Sequence, residues 1–284
     1  MSSAYTTLIG ALDLAAHLQD PDWVLIDCRF DLTNPAFGLE AWRRSHIAGA
    51  LFLDIDADLC GPRTGRNGRH PLPDPARLAA RLGECGIAAH TQVVAYDDTE
   101  GMFAARLWWL LRWLGHERVA VLDGGLQAWC RAGQALDAAT PVALARDYVP
   151  AAPSGHLELE YVLAHLGAPD MLLLDARSPD RFRGENEMLD PVGGHIPGAI
   201  NRYFRDNLAA DGCFKPAAQL RAEFEAVLAG HAAAQVVHQC GSGVTGCHNL
   251  LAMEVAGLGG SKLYAGSWSE WCADPARPVA TGPA

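Results

Sequence analysis

The feature that most constrains this chain is a repetition. LIDCRF at residues 25–30 returns as LLDARS at residues 173–178, with Asp27 matching Asp175. HIAGA from His46 returns as HIPGA from His195, and QVVAYD from Gln92 as QVVHQC from Gln235. LDGGLQAW, ending at Trp129, returns as YAGSWSEW, ending at Trp271. Four blocks in the same order, offset by about 145 residues, mean a duplicated domain with small loop differences. The repeated unit alternates short apolar runs (residues 23–28, 92–97 and 119–122) with helical stretches (residues 12–18, 103–114 and 126–132). Asp74-Pro75 opens a further helix through Leu82, with proline early, where its missing N–H costs little. Near-continuous apolar strands alternating with helices predict an α/β fold, each copy a mostly parallel sheet with helices on both faces. Residues 140–156, TPVALARDYVPAAPSGH, carry three prolines and little periodicity. The expected division is therefore a first domain over 1–140, a linker over 141–156 and a second domain over 157–284.

The copies diverge most where chemistry is expected. In the second, residues 236–247 read VVHQCGSGVTGC. An apolar run leads into Cys240, a glycine-containing loop follows, and Val244 starts a helix predicted to run to Gly257. Such a loop can turn backbone N–H groups inward as an anion nest, with the helix's positive end on the same side. A cysteine there is expected to ionise readily, and the thiolate is the nucleophile. In the first copy Asp97 stands opposite Cys240, and DTEGMF opposite GSGVTG. That copy is expected to have lost both thiol and nest and to act as a scaffold, one wall of a cleft between the halves.

Other uses of the loop are tested by its residues. A Walker phosphate loop would end in Gly-Lys-Ser/Thr, which is missing. A cysteine phosphatase needs an arginine six positions after its thiol, where this chain has Gly246. His238, Cys240, Cys247 and His248 have zinc-ligand chemistry but lack the short paired spacings of structural zinc motifs. The net charge of -11 argues against nucleic-acid binding. Eight cysteines without paired spacing, and an N-terminus without a basic, apolar leader, predict free thiols in a reducing cytoplasm. Residues 107–114, the most apolar long stretch, are too short to span a membrane.

With these blocks in view, the chain resembles the rhodanese-type sulfurtransferases along essentially its whole length: tandem α/β domains, an inactive first copy, the DAR and GHIPGA blocks, and the loop from Cys240 to Thr245. CGSGVT is similar to the loop of the mercaptopyruvate-using members, whereas thiosulfate users more often carry a basic CRKGVT-like loop. The resemblance implies that Cys240 takes sulfur from 3-mercaptopyruvate, releases pyruvate and holds a persulfide. A thiophilic acceptor (a thiol, thioredoxin or cyanide) then collects the sulfur, without metal or organic cofactor. It also implies roles for particular residues. Arg181 binds the donor carboxylate; the backbone of Gly241, Gly243, Val244 and Thr245 lines the donor site. Ser242 relays protons with His70 and Asp56.

One position departs from the pattern. Mercaptopyruvate members carry a second arginine nine residues after the first, and this chain has Asp190, a carboxylate expected to repel an anionic donor. Arg183, Arg66 and Arg69 are the cations that could replace it. Cys247 is expected to pack in the core, and Trp108, Trp109, Trp129, Trp268 and Trp271 to be mostly core or cleft wall. His46, His195, Asp27 and Asp175 recur in both copies while the thiol does not, and so read as structural. The alternatives are a thiosulfate sulfurtransferase and, from a different class, a non-catalytic persulfide carrier or thiol sensor.

Overall fold

A computed structural model describes residues 4–283. The chain forms two compact units: one runs to Gly61 and takes in Pro73–Ser154 and Ala210–Cys213, the other takes Pro62–Leu72, Gly155–Ala209 and the chain from Phe214 onward. The excursion at Pro62–Leu72 is the glycine- and arginine-rich loop that precedes the Asp74-Pro75 helix, and it packs with the second unit.

The first unit contains β1 (Leu8–Ile9), α1 (Ala11–His17), β2 (Trp23–Asp27), α2 (Phe37–Arg44), β3 (His46–Ile47), β4 (Leu51–Phe52), α3 (Pro75–Glu84), β5 (Gln92–Tyr96), α4 (Ala104–Trp113), β6 (Val119–Leu122), α5 (Gly125–Arg131) and β7 (Leu136–Asp137). Its five-stranded sheet is parallel throughout, in the order β1-β6-β5-β2-β4, while β3 and β7 pair antiparallel. All of β5 and β6 is buried, which is why these strands read as unbroken apolar runs. Asp74 caps α3 by accepting the Arg77 N–H at 2.8 Å, with Pro75 in the first turn.

The second unit contains β8 (His156–Leu157), α6 (Leu159–Ala164), β9 (Leu172–Asp175), α7 (Pro179–Arg183), β10 (Ile200–Asn201), a 3₁₀ turn at Phe204–Asn207, α8 (Ala217–Leu228), β11 (Val236–Gln239), α9 (Thr245–Val255), β12 (Lys262–Tyr264) and α10 (Ser267–Trp271). Its parallel sheet has the order β8-β12-β11-β9-β10, strand for strand the order of the first. The predicted α/β duplication is thus the observed fold, two five-stranded parallel sheets with helices around them.

The repeated blocks do equivalent work in each copy. Asp27 accepts from Arg29 Nε and Nη2, and Asp175 from Arg177 in the same fork, with the last N–H at 2.7 Å in both. Each arginine also donates to a distant carbonyl, that of Ser45 or Gly194, and so ties a loop to the strand end. Nδ1 of His46 bonds the Trp42 carbonyl, and Nδ1 of His195 the Phe182 carbonyl. Trp129 and Trp271 are each at most 1 % exposed in their own core clusters, where truncation to alanine costs about 3–5 kcal/mol. Between β7 and β8 there is no regular secondary structure, as three prolines and little periodicity predict. No helix among the described residues is long and apolar enough to cross a membrane.

Candidate active site

β11 lies between β9 and β12, buried along its whole length, and delivers Cys240 at its C-terminal end. That end of a parallel sheet is where ligands of open α/β folds bind. Cys240 is 2 % exposed, and its Sγ accepts the Ser242 N–H at 3.5 Å. The loop's two glycines serve different needs. Gly243 has φ +77°, and a side chain there would run into the Ala265 carbonyl. Gly241 has ordinary backbone, but a Cβ on it would lie 2.8 Å from Arg69 Nη2 and 3.6 Å from Arg181 Nη1. Gly241 is therefore a close-approach glycine that lets two guanidinium groups reach the loop. α9 starts at Thr245, one residue later than predicted, and ends at Val255.

The start of α10 braces the loop from behind. Ser267 Oγ accepts the Cys240 N–H at 3.1 Å and donates to the Tyr264 carbonyl at 2.9 Å. The Trp268 and Ser269 N–H groups bond the carbonyls of Cys240 and Gly241, both at 2.9 Å. Ser267 holds φ 54°, an unfavourable region for serine that costs on the order of 1–2 kcal/mol. This brace was not anticipated from the sequence, although its signal is the recurrence of LDGGLQAW as YAGSWSEW.

Ser242 Oγ and His70 Nδ1 share a hydrogen bond of 2.7 Å, and both residues are buried. The structure thus gathers Cys240, Ser242 and His70 within one unit, because the loop carrying His70 belongs to it. Asp56 lies in the first unit, in the turn after β4, where its own N–H donates to Asp54 Oδ1 at 2.8 Å.

Around the loop stand three arginines and three carboxylates. Arg177, nearly fully buried, carries the Asp175 fork, stacks over Trp268 at 4.8 Å and lies 3.6 Å from Glu187. Arg181 donates from Nε and Nη2 to Glu187 at 3.0 and 2.9 Å, and from Nη2 to Asp190 at 3.3 Å. Asp190 also takes Nη1 of Arg69, so its carboxylate bridges two guanidinium groups. Burial pushes the Asp190 carboxyl up, and the Arg69 charge pulls it down against repulsion from Glu187. The residue at the departing position is therefore already neutralised, and the expected repulsion of an anion is offset by its partners. Of the other candidate cations, Arg183 is spent in a two-pronged pair with Glu185 at 2.7 and 2.8 Å, and Arg66 is exposed.

The remaining candidates are packed away. Cys247 is fully buried, with its Sγ 3.3 Å from the Gly243 carbonyl. His238 Nε2 meets Met253 Sδ at 3.2 Å, and burial pushes that ring down to about 3, so it is neutral at physiological pH. His248 stacks on Phe214 and bonds Asn207. Among the described residues no three His, Cys, Asp or Glu side chains gather as a metal site.

Residues 11–132 and 158–274 each match the rhodanese-like domain family. The chain belongs to the rhodanese family. A Pseudomonas aeruginosa protein named as a probable 3-mercaptopyruvate sulfurtransferase is 51 % identical over 99 % of this chain and 100 % of its own. A Mycobacterium tuberculosis protein provisionally named thiosulfate sulfurtransferase SseB is 38 % identical over the full length of both. Among solved structures, the 3-mercaptopyruvate sulfurtransferase of Leishmania major superposes with TM-score 0.83 at 30 % identity, over 94 % of this chain and 74 % of that one. SseA from Escherichia coli superposes with TM-score 0.79 at 31 % identity, over 93 % and 99 %. Both rhodanese domains of this chain have the same strand order, and only the second presents a cysteine at the end of its central strand.

Proposed function

We propose that this chain is a sulfurtransferase that moves sulfur from 3-mercaptopyruvate, through a persulfide on Cys240, to a thiophilic acceptor. The observation that carries this reading is the setting of the Cys240 sulfur. It sits at a strand end against the Ser242 N–H, in a loop flanked by the guanidinium groups of Arg69 and Arg181. The Cys240 thiolate attacks the donor's thiol sulfur, and the carbon–sulfur bond breaks with its electron pair leaving as the enolate of pyruvate. The thiol hydrogen of the donor ends on that methyl carbon, and the persulfide anion remains on Cys240. Ser242 and His70, joined at 2.7 Å, are the groups in reach to carry the proton. Arg181 holds the donor carboxylate, and the backbone of Gly241, Gly243, Val244 and Thr245 lines the site.

In this reading residues 1–140 form the non-catalytic domain, 141–156 the linker and 157–284 the catalytic domain, to which the loop bearing Arg69 and His70 is added. Asp56 is assigned to the relay by the family resemblance alone. A small thiol, thioredoxin or cyanide accepts the sulfur, and eight free cysteines suit a reducing cytoplasm.

Thiosulfate is the competing donor, favoured by the name of the Mycobacterium tuberculosis relative. The charge balance argues for the monoanion. The loop from Cys240 to Thr245 carries no cation, and Arg69, Arg177 and Arg181 are matched by Asp175, Glu187 and Asp190, so a dianion gains little. Steady-state sulfur transfer to cyanide, run with each donor and with Cys240→Ser as blank, tests the reading. A kcat/KM at least about tenfold higher for 3-mercaptopyruvate is the expected outcome. A preference for thiosulfate would replace the donor, and turnover of neither would leave a persulfide carrier.

A further inference from the structure

The carboxylates beside the Cys240 loop do not use all the hydrogen-bonding capacity of its two arginines. A guanidinium has five N–H donors in a rigid fork. Glu187 and Asp190 take Nε and Nη2 of Arg181, which leaves Nη1, 3.6 Å from a Cβ placed on Gly241. Asp190 takes Nη1 of Arg69, leaving Nη2 directly over Gly241. Nε of Arg69 is buried and has no hydrogen-bond partner. Nε and Nη2 form the edge with which a guanidinium grips a carboxylate in two prongs, as Arg29 grips Asp27 in this same chain. Leaving such a donor buried and unpaired costs on the scale of a lost hydrogen bond.

The backbone places this side chain firmly. The Arg69 N–H donates to Ser269 Oγ at 3.0 Å, and the next residue is His70, locked to Ser242. Arg69 is thus fixed at both its main chain and its guanidinium, and its side chain remains 25 % exposed.

From this arrangement we infer that Arg69 is a specificity-determining residue that binds the donor's carboxylate together with Arg181, and that Asp190 is the residue that positions it. Asp190 joins the two guanidinium groups, one from α7 and one from the loop at residues 62–72, and so holds them side by side at the Cys240 loop. The inference rests on the carboxylate-donor reading above and adds which side chains recognise that group.

The experiment separates the two claims by using one readout that needs turnover and one that does not. Arg69→Ala is expected to raise KM for 3-mercaptopyruvate at least about tenfold with kcat within about threefold, the signature of lost binding in ground and transition state alike. Pyruvate serves as the carboxylate probe, through its protection of Cys240 against alkylation by neutral iodoacetamide. Arg69→Ala should weaken that protection by a similar factor, with protection in each protein measured against its own unprotected alkylation rate. Arg69→Ala combined with Asp190→Arg returns a guanidinium from the other side and is expected to recover KM to within about threefold of wild type. An unchanged KM and unchanged pyruvate protection in Arg69→Ala would overturn the inference. If the wild-type protein turns over no 3-mercaptopyruvate, protection alone decides: weakened protection in Arg69→Ala supports the carboxylate seat while the donor reading falls, and equal protection overturns the seat.

Discussion

The loop after β5 and the loop after β11 are the same turn with different side chains at the strand end. Asp97 ends the first strand, and its carboxylate accepts four backbone N–H groups, those of Thr99, Gly101, Phe103 and Ala104, at 2.8–2.9 Å. Cys240 ends the second, and its sulfur takes the Ser242 N–H. Behind each loop the helix that follows the neighbouring strand, α5 or α10, donates one N–H to the carbonyl of that key residue: Leu126 to Asp97 at 2.8 Å, Trp268 to Cys240 at 2.9 Å. Left-handed backbone recurs in register, at Glu100 (φ 64°) and Gly243 (φ 77°), and at Gly125 (φ 57°) and Ser267 (φ 54°). The sequence expectation that the first copy has lost its nest is therefore corrected. The inward-turned amides persist, and the chain's own carboxylate occupies them. An anion-binding turn is a property of the backbone; whether it is reactive depends on the side chain at the strand end.

The largest test of this comparison concerns that side chain. Cys240→Ser should lower sulfur transfer at least about a thousandfold, and adding Asp97→Cys should recover none of it. Arg69, His70 and Arg181, which flank the Cys240 loop, all belong to the second unit, so transfer restored by Asp97→Cys would mean that the turn alone suffices.

Stability is the next readout. Asp97→Ala strips four buried amides of their acceptor and should destabilise the protein by about 3 kcal/mol or more, read from the urea midpoint. A change under about 1 kcal/mol would mean the amides find other partners.

Ser267 offers a subtler probe, because its counterpart is Gly125. Ser267→Gly relieves left-handed strain but removes the acceptor for the Cys240 N–H. Stability should stay within about 1 kcal/mol of wild type while kcat falls about tenfold. Unchanged kcat would make the brace dispensable.

The smallest effect is a pH dependence in the first loop. Asp98, the counterpart of Gly241, has its carboxyl pushed up to about 6 by burial and by the charge of Asp97. A carboxyl raised in the folded state contributes stability below its unfolded value, near 3.8, and loses it as pH rises through about 6. Asp98→Asn should remove this slope, gaining on wild type by about 1–2 kcal/mol between pH 4 and pH 7. Parallel stability curves would show that Asp98 titrates normally.

How much of this could be read in advance follows from the range of each interaction. The duplication, the parallel sheets and the cysteine at the end of β11 were legible, because apolar runs, glycines and repeated blocks are local signals. The Asp27–Arg29 and Asp175–Arg177 forks span two residues, and their recurrence without the thiol marked them as structural. The Asp74 cap was legible for the same reason. By contrast, the filled nest at Asp97 was hidden, because backbone N–H groups leave no trace in residue identity. The pairing of Arg69 with Asp190 joins residues 121 positions apart, and the bond between His70 and Ser242 joins residues 172 apart.

By itself, then, the sequence determined that this chain folds twice into one α/β plan and that only the second copy carries a thiol at the end of its central strand. Tertiary structure decided which unit the loop at residues 62–72 joins, and with it which cations stand beside the Cys240 loop. It also turned Asp190 from an isolated negative charge into a bridge between two guanidinium groups. The physical reason is that a charge's effect depends on its partners and its burial, and both are set by packing between distant segments.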